Sequence, residues 1–280
     1  MLVIETINNL RDQINRAKSL GQTIGFVPTM GALHLGHLDL VQKAKHKTDF
    51  VVVSIFVNPT QFNNPNDLIK YPKTLEADLA LLENWADLVF TPSVDEMYPK
   101  AMKKTWDFGL LTSSLEGFYR PGHFDGVCTI VQKLFAAVAP HEAFFGKKDY
   151  QQLAVIKALV LKENMDLSVV GCETIRETDG LAMSSRNMRL NELQRKQALL
   201  IYQTLEGIQR QKEKLTIEQL QSWGKSQFTH SLGLELEYLE IVDAKTFEPL
   251  FSKNKDQMAV ILVAAYAGEV RLIDNMELVW

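Results

Sequence analysis

Along the first two-thirds of the chain, apolar residues follow two alternating rhythms. Ile7, Leu10, Ile14 and Ala17 recur at helical spacing, with Thr6 placed as an N-cap and Gly21 as a stop. The run TIGFV (Thr23–Val27) then reads as a strand, and a helical pattern follows from about Gly36 to Lys47. FVVVSIFV (Phe50–Val57) is the next strand. A helix marked by Leu75, Leu79 and Leu82 comes after it, then a strand at Asp87–Phe90. Further on, Val127–Val138 predicts a helix and EAFFG a short strand. Leu153, Ile156 and Val160 mark another helix before the strand-like LSVVGCETI.

These strands are short, continuously apolar and rich in β-branched residues, which suits a parallel sheet covered on both faces. Their alternation with helices predicts an α/β domain, a Rossmann-like doubly wound parallel sheet. Ligands in such sheets bind beyond the carboxyl ends of the strands, so the segments just after strands are where chemistry is expected.

From about residue 175 the rhythm changes. A polar helical stretch without interruption is predicted from Asn191 to about Lys214, and a second near Ile217–Thr229. LELEYLEIVDA, QMAVILVAAYA and VRLIDNMEL then read as an antiparallel sheet, with AGEV (Ala267–Val270) as a hairpin turn. The expected division is a catalytic domain over residues 1–174 and a smaller C-terminal α+β domain over residues 175–280, joined near Glu173–Glu177.

Composition narrows the function classes. With 280 residues, 46% apolar and 23% charged, the chain is an ordinary globular protein with room for a large core. A net charge of −4 offers no general footprint for nucleic acid, so none is expected as a partner. The opening residues MLVIETINNLRDQ lack the pattern of a secretory leader, and the longest apolar runs are too short to span a bilayer. No membrane partner is expected, and a cytoplasmic setting is the simplest inference. Cys128 and Cys172 make neither a disulfide framework nor a zinc site and read as small buried residues.

PTMGALHLGH (Pro28–His37) sits at the mouth of the TIGFV strand. If a helix starts near Leu35–Gly36, His34 and His37 share its first turn, where unpaired backbone N–H groups favour an anion. Gly31 and Gly36 allow close approach of backbone to ligand. Binding of a phosphate would favour the protonated imidazoles. The competing reading is a strand–helix turn with incidental histidines. GLAMSSRN (Gly180–Asn187) offers two hydroxyls and a fixed cation, a set suited to polyphosphate, though alone it also fits a capped surface loop.

Together these segments carry a resemblance. HLGH resembles the H-x-G-H signature of the class I nucleotidyltransferases, and MSSRN their second phosphate-binding signature. FVPTMGALHLGH, FVNPTQF, YPKTLEADLALL, RPGHFDGV, GKKDYQQL and DGLAMSSRN occur in the order and at about the spacing of the pantothenate synthetase family. The resemblance covers most of residues 20–190.

It implies a two-step ligase. ATP and pantoate give an enzyme-bound pantoyl adenylate and pyrophosphate. The amine of β-alanine then attacks the activated carboxyl, giving pantothenate and AMP. Mg²⁺ accompanies the ATP, and the assembly is a homodimer. The resemblance places Met30, Gly31, Ala32, Leu33, His34, Leu35, Gly36 and His37 along the ATP site, with His37 as proton donor. Gly146, Lys147, Lys148 and Asp149 join it, Lys148 as the cation on the transferring phosphate. Ser184, Ser185 and Arg186 hold the leaving phosphates, and Ile175 and Met183 line the nucleotide pocket. Gln61, Gln152 and Asn58 belong to pantoate and β-alanine. No protein metal ligands are assigned.

Other features fit this reading less directly. Lys147 stands where the family usually has Glu, and activity is expected to survive the change. Gln152 also suits a capping box with Asp149. Arg120 and His123 are expected to hold structure more than to catalyse, and Glu76 and Asp78 to lie on a helical surface. A phosphopantetheine adenylyltransferase is the near alternative, but it needs no pantoate glutamines. A small tRNA synthetase relative lacks an RNA platform here, and a non-catalytic protein would be expected to lose phosphate-site residues. Domain motion is expected to complete the site, since Ser184–Arg186 fall near the junction.

Overall fold

The computed structural model describes residues 1–100, 104–229, 231, 233–255 and 257–280. Its contacts divide the chain into two units. One contains Met1–Lys147 and Gln151–Glu173; the other contains Lys148–Tyr150 and Thr174–Trp280.

The first unit is built on six strands: β1 (Leu2–Ile4), β2 (Ile24–Thr29), β3 (Phe50–Ile55), β4 (Leu88–Phe90), β5 (Glu142–Gly146) and β6 (Ser168–Cys172). They form one sheet in the order β1-β4-β3-β2-β5-β6, and every neighbouring pair is parallel. The α/β, Rossmann-like expectation therefore holds. Winding reverses at β2, because β3 lies on one side of it and β5 on the other. In α/β sheets ligands bind at the carboxyl ends of the strands that flank such a reversal, here β2 and β5.

The pleat explains why both sheet faces are apolar. Phe26 and Val52 point to one face, against the helices Ile7–Ser19 and His123–Val138 through Leu10, Ile14, Val127 and Val131. Val27 and Val53 point to the other, against Leu40, Val41 and Ala44 of the helix Leu35–Lys47 and Leu82 of the helix Leu75–Leu82. Both cysteines are buried and free. Burial pushes the Cys128 thiol up to about 12 and raises that of Cys172.

The second unit carries β7 (Leu234–Asp243), β8 (Ala259–Ala267) and β9 (Val270–Leu278), an antiparallel sheet. Gly268, at φ 61°, forms the hairpin turn between β8 and β9. The helices Leu199–Gln211 and Ile217–Thr229 pack Ile201, Leu205, Ile208, Leu220 and Phe228 against Leu239, Ile241, Ile261 and Val263.

Three expectations need correction. The stretch from Asn191 is not one helix: Glu192–Gln197 and Leu199–Gln211 are separated at Ala198. The predicted Val127–Val138 helix starts earlier, at His123, after Gly122 turns the chain at φ 78°. β1 adds a strand that the apolar pattern does not show, because three residues are too few to reveal a period; it is made by pairing with β4. No helix among the described residues is long and apolar enough to cross a membrane.

Candidate active site

Beyond β2 the backbone turns sharply. Gly31 has φ 80° and Ala32 has φ 51°, the second being a conformation that costs a residue with a Cβ about 1–2 kcal/mol. Asp78 holds the turn in place. One of its carboxylate oxygens accepts from Ala32 N–H at 2.9 Å, and the other from Leu33 N–H at 2.8 Å and the Thr74 hydroxyl at 3.1 Å. A Cβ on residue 31 would meet both Asp78 and Ile55 at 3.0 Å, so the glycine is needed for space as well as for φ. Asp78 is 2% exposed. The expectation of a helical surface is therefore wrong for it. Its spacing of four from the buried Leu82 puts it on the helix's inner face, and a buried carboxylate needs donors.

The turn delivers the two histidines to the start of the helix Leu35–Lys47, where they cap it reciprocally. His34 Nδ1 accepts from Gly36 N–H at 3.2 Å, and His37 Nδ1 accepts from His34 N–H at 3.3 Å. The ring centroids are 4.0 Å apart. A nitrogen that accepts carries no proton, so these bonds place the proton of each neutral ring on Nε2. Held this way, the two rings leave Nε2 as the nitrogen not used in capping.

The segment after β3 lies against the same turn. Gln61 Nε2 reaches the Met30 sulfur at 3.0 Å, while its side-chain oxygen accepts from Asn58 Nδ2 at 3.2 Å. Asn58 is 1% exposed. It also donates to the Gly126 carbonyl at 3.2 Å and accepts from the hydroxyls of Tyr98 at 2.7 Å and Thr60 at 3.0 Å. Burial raises the Tyr98 phenol pKa. His123 Nδ1 lies 2.9 Å from the Gln61 carbonyl, and Arg120 pairs with Glu116 at 3.2 Å. Both are engaged in holding structure. Asn58, Tyr98 and His123 together fix both ends of Gln61.

At the end of β5, Gly146 leads to Lys147, whose ammonium pairs with Glu173 at 2.7 Å. Gln152 sits half-buried on the helix Tyr150–Lys162. Its neighbour Gln151 is buried and structural, accepting from Glu116 N–H at 3.0 Å and donating to the carbonyls of Leu111 and Ser114.

The remaining predicted residues belong to the second unit. Lys148 has its ammonium 4.0 Å from the Asp149 carboxylate, and its carbonyl accepts from Asn275 Nδ2 at 2.8 Å. Ile175 and Met183 face each other across a short hairpin, Met183 N–H donating to the Ile175 carbonyl at 3.0 Å beside the Arg176–Ala182 bridge. Ser184 caps the turn Ser185–Arg189 by accepting from Arg186 N–H at 3.3 Å. Arg176 makes a fork to Asp274, at 2.6 and 3.0 Å. Sequence reasoning misplaces Asp78 and passes over Tyr98, Arg176, Asp274 and Asn275. The signal for Asp274 is period two: it shares a strand face with the buried Val270 and Leu272.

A sequence profile described as pantoate-beta-alanine ligase matches residues 2–277. A pantothenate synthetase of Bacteroides fragilis is 47% identical over 278 residues, covering 99% of each chain. One from Pseudomonas fluorescens is 48% identical, covering 99% of this chain and 98% of its own. Among solved structures, a pantothenate synthetase from Thermus thermophilus superposes with a TM-score of 0.93 at 40% identity, covering all of both chains. A pantoate-beta-alanine ligase from Francisella tularensis, described as complexed with beta-gamma ATP and beta-alanine, gives 0.81 at 38% identity, covering 99% of this chain and 97% of that one.

Proposed function

The chain belongs to the pantoate–beta-alanine ligase family, and from that premise we infer how its own residues serve the family's reaction. It is an ATP-dependent ligase that forms a carbon–nitrogen bond. A pantoate carboxylate oxygen attacks the α-phosphorus of ATP, the α–β phosphoanhydride bond breaks, and pyrophosphate leaves. The β-alanine amine then attacks the acyl carbon, AMP leaves with the bonding pair, and the nitrogen gives up a proton to yield pantothenate.

The first step brings anions together, so its barrier is lowered by fixed donors and cations. We assign His34 and His37 to the ATP phosphates through Nε2, with His37, in the imidazolium form that bound phosphate favours, as the proton donor to the leaving oxygen. Lys148 supplies the cation at the transferring phosphorus. Ser184, Ser185 and Arg186 take the phosphates that leave, and Met30–Leu33, Leu35, Gly36, Gly146, Lys147, Asp149, Ile175 and Met183 complete the nucleotide site. Gln61, Asn58 and Gln152 are assigned to pantoate and β-alanine. The observation that carries this reading is the reciprocal capping of His34 and His37, with Gln61 bonded to the same turn through Met30.

Mg²⁺ is assigned to the ATP itself, since the ion favours phosphate oxygens and retained water. Among the described residues no group of three or more His, Cys, Asp or Glu is placed to hold a metal. We further propose a homodimeric, cytoplasmic enzyme with its catalytic domain in residues 1–174 and the smaller α+β domain in residues 175–280.

Measuring the two half reactions tests this function. Pyrophosphate release is expected to require pantoate, and AMP release to require β-alanine. Pyrophosphate release without pantoate but with phosphopantetheine would instead identify an adenylyltransferase.

A further inference from the structure

Two segments assigned to the phosphates, around Lys148 and around Ser184–Arg186, are far apart in sequence. Within the second unit both are bound to neighbouring residues of one strand. Asn275, on β9, is 6% exposed and donates from its side chain to the Lys148 carbonyl at 2.8 Å. Two residues along the same strand, Glu277 accepts from the Tyr150 hydroxyl at 3.1 Å. Residues 275 and 277 lie on one face of the strand, and they grip residues 148 and 150 as a matched pair. The Tyr150 ring also packs on Phe247, with centroids 6.2 Å apart.

The other segment is held by Asp274, which is 3% exposed. Its carboxylate takes the Arg176 guanidinium in a fork, a geometry that fixes direction as well as distance. The same guanidinium donates to the Gly180 carbonyl at 3.1 Å and the Asn275 carbonyl at 3.3 Å, and lies over the Tyr202 ring at 4.6 Å. Arg176 is paired across the hairpin with Ala182, two residues before Ser184. Asn275 N–H closes the node by donating to Asp274 at 2.8 Å.

We propose that Asn275 is a positioning residue for Lys148, and that with the Asp274–Arg176 pair beside it β9 sets both phosphate-directed segments in register. This rests on the assignment of Lys148 to the transferring phosphate. A lysine has a long flexible arm, so the direction in which it leaves the backbone decides where its charge is concentrated. Fixing the carbonyl of residue 148 and the ring of residue 150 removes that freedom at the base, and small displacements at a reacting centre are expensive.

The test is a double-mutant cycle between Lys148→Ala and Asn275→Ala, read by single-turnover pyrophosphate release at stoichiometric enzyme. Asn275→Ala is expected to lower the pantoate-dependent rate about tenfold, with the ATP concentration dependence changed less than about threefold. Conversion of supplied pantoyl adenylate by β-alanine should stay within about twofold. In the Lys148→Ala background the Asn275 substitution should change the rate by less than about twofold, because the backbone bond remains possible but the ammonium it positions is gone. Asn275→Ser, whose hydroxyl is too short to reach the carbonyl, should reproduce the loss with a smaller lesion. Multiplicative effects in the cycle, an unchanged single variant, or loss of both half reactions together with a collapsed melting temperature would each overturn the proposal. Normal adenylation by Lys148→Ala alone would fell the assignment of Lys148 itself, and this inference with it.

Discussion

The turn beyond β2 and the node on β9 both depend on a buried carboxylate, but they use it differently. Asp78 accepts directly from the backbone N–H groups of Ala32 and Leu33, and so holds a strained main chain in place. Asp274 accepts the fork of a side chain, Arg176, as well as the adjacent Asn275 N–H, and holds a hairpin through the arginine. The first device fixes the shape of a peptide and leaves no slack. The second fixes charges at the ends of side chains, so its geometry depends on several partners being present together. Backbone bonds thus fix a single turn, and a side-chain network aligns segments from distant parts of the chain.

The sharpest way to test this contrast is at the turn's own donors. His37→Ala should reduce pantoate-dependent pyrophosphate release about 100- to 1,000-fold, the usual range for removing a preorganised donor. It should leave conversion of supplied pantoyl adenylate within a few-fold. Equal loss in both steps would show that the turn is general scaffolding and not an adenylation device. At the node, Arg176→Met should destabilise the fold by about 3 kcal/mol in a urea titration, because it strands Asp274 in the interior. A change below about 1 kcal/mol would mean that the node is not held by this ion pair.

Asp78→Asn keeps the shape but turns one acceptor oxygen into a donor facing a backbone N–H. The expected cost is about 2 kcal/mol of stability, with a loss in adenylation. Stability loss with adenylation intact would separate the strain from the function. The smallest effect belongs to Lys147→Glu. Lys147 pairs with Glu173 in the first unit, and the substitution sets two carboxylates against each other there. Adenylation should change by less than about threefold, and a wild type inactive until this change is made would reverse that view.

How much of this the sequence reveals depends on the range of the interaction. The parallel strands, the start of the helix at Leu35 and the glycine at residue 31 are local matters of period and turn chemistry, and they are legible. Asp78 is legible in principle: it lies on the apolar face of LEADLALL, and only the habit of reading acidic residues as surface hides it. Asp274 has the same signature in VRLIDNMEL. Its partner is another matter, because nothing near either residue in sequence says that Arg176 and Asp274 meet. Asn275 and Lys148 are more distant still, and their contact exists only once the sheet has formed. The break at Ala198 is not legible, since the local helical pattern runs through it.

The assignment of Lys148–Tyr150 to the second unit has a consequence for cutting the protein apart. The chain enters that unit for three residues, returns for the rest of the helix that Tyr150 begins, and leaves again at Thr174. No single cut therefore separates the two units. A fragment ending near residue 173 would retain a complete parallel sheet but carry Lys148 and Tyr150 without Asn275 and Glu277, and adding the missing C-terminal piece in trans should restore the grip. In the intact molecule, the three borrowed residues make the polypeptide's own path the guarantee that Lys148 and the strand bonded to it are inherited together.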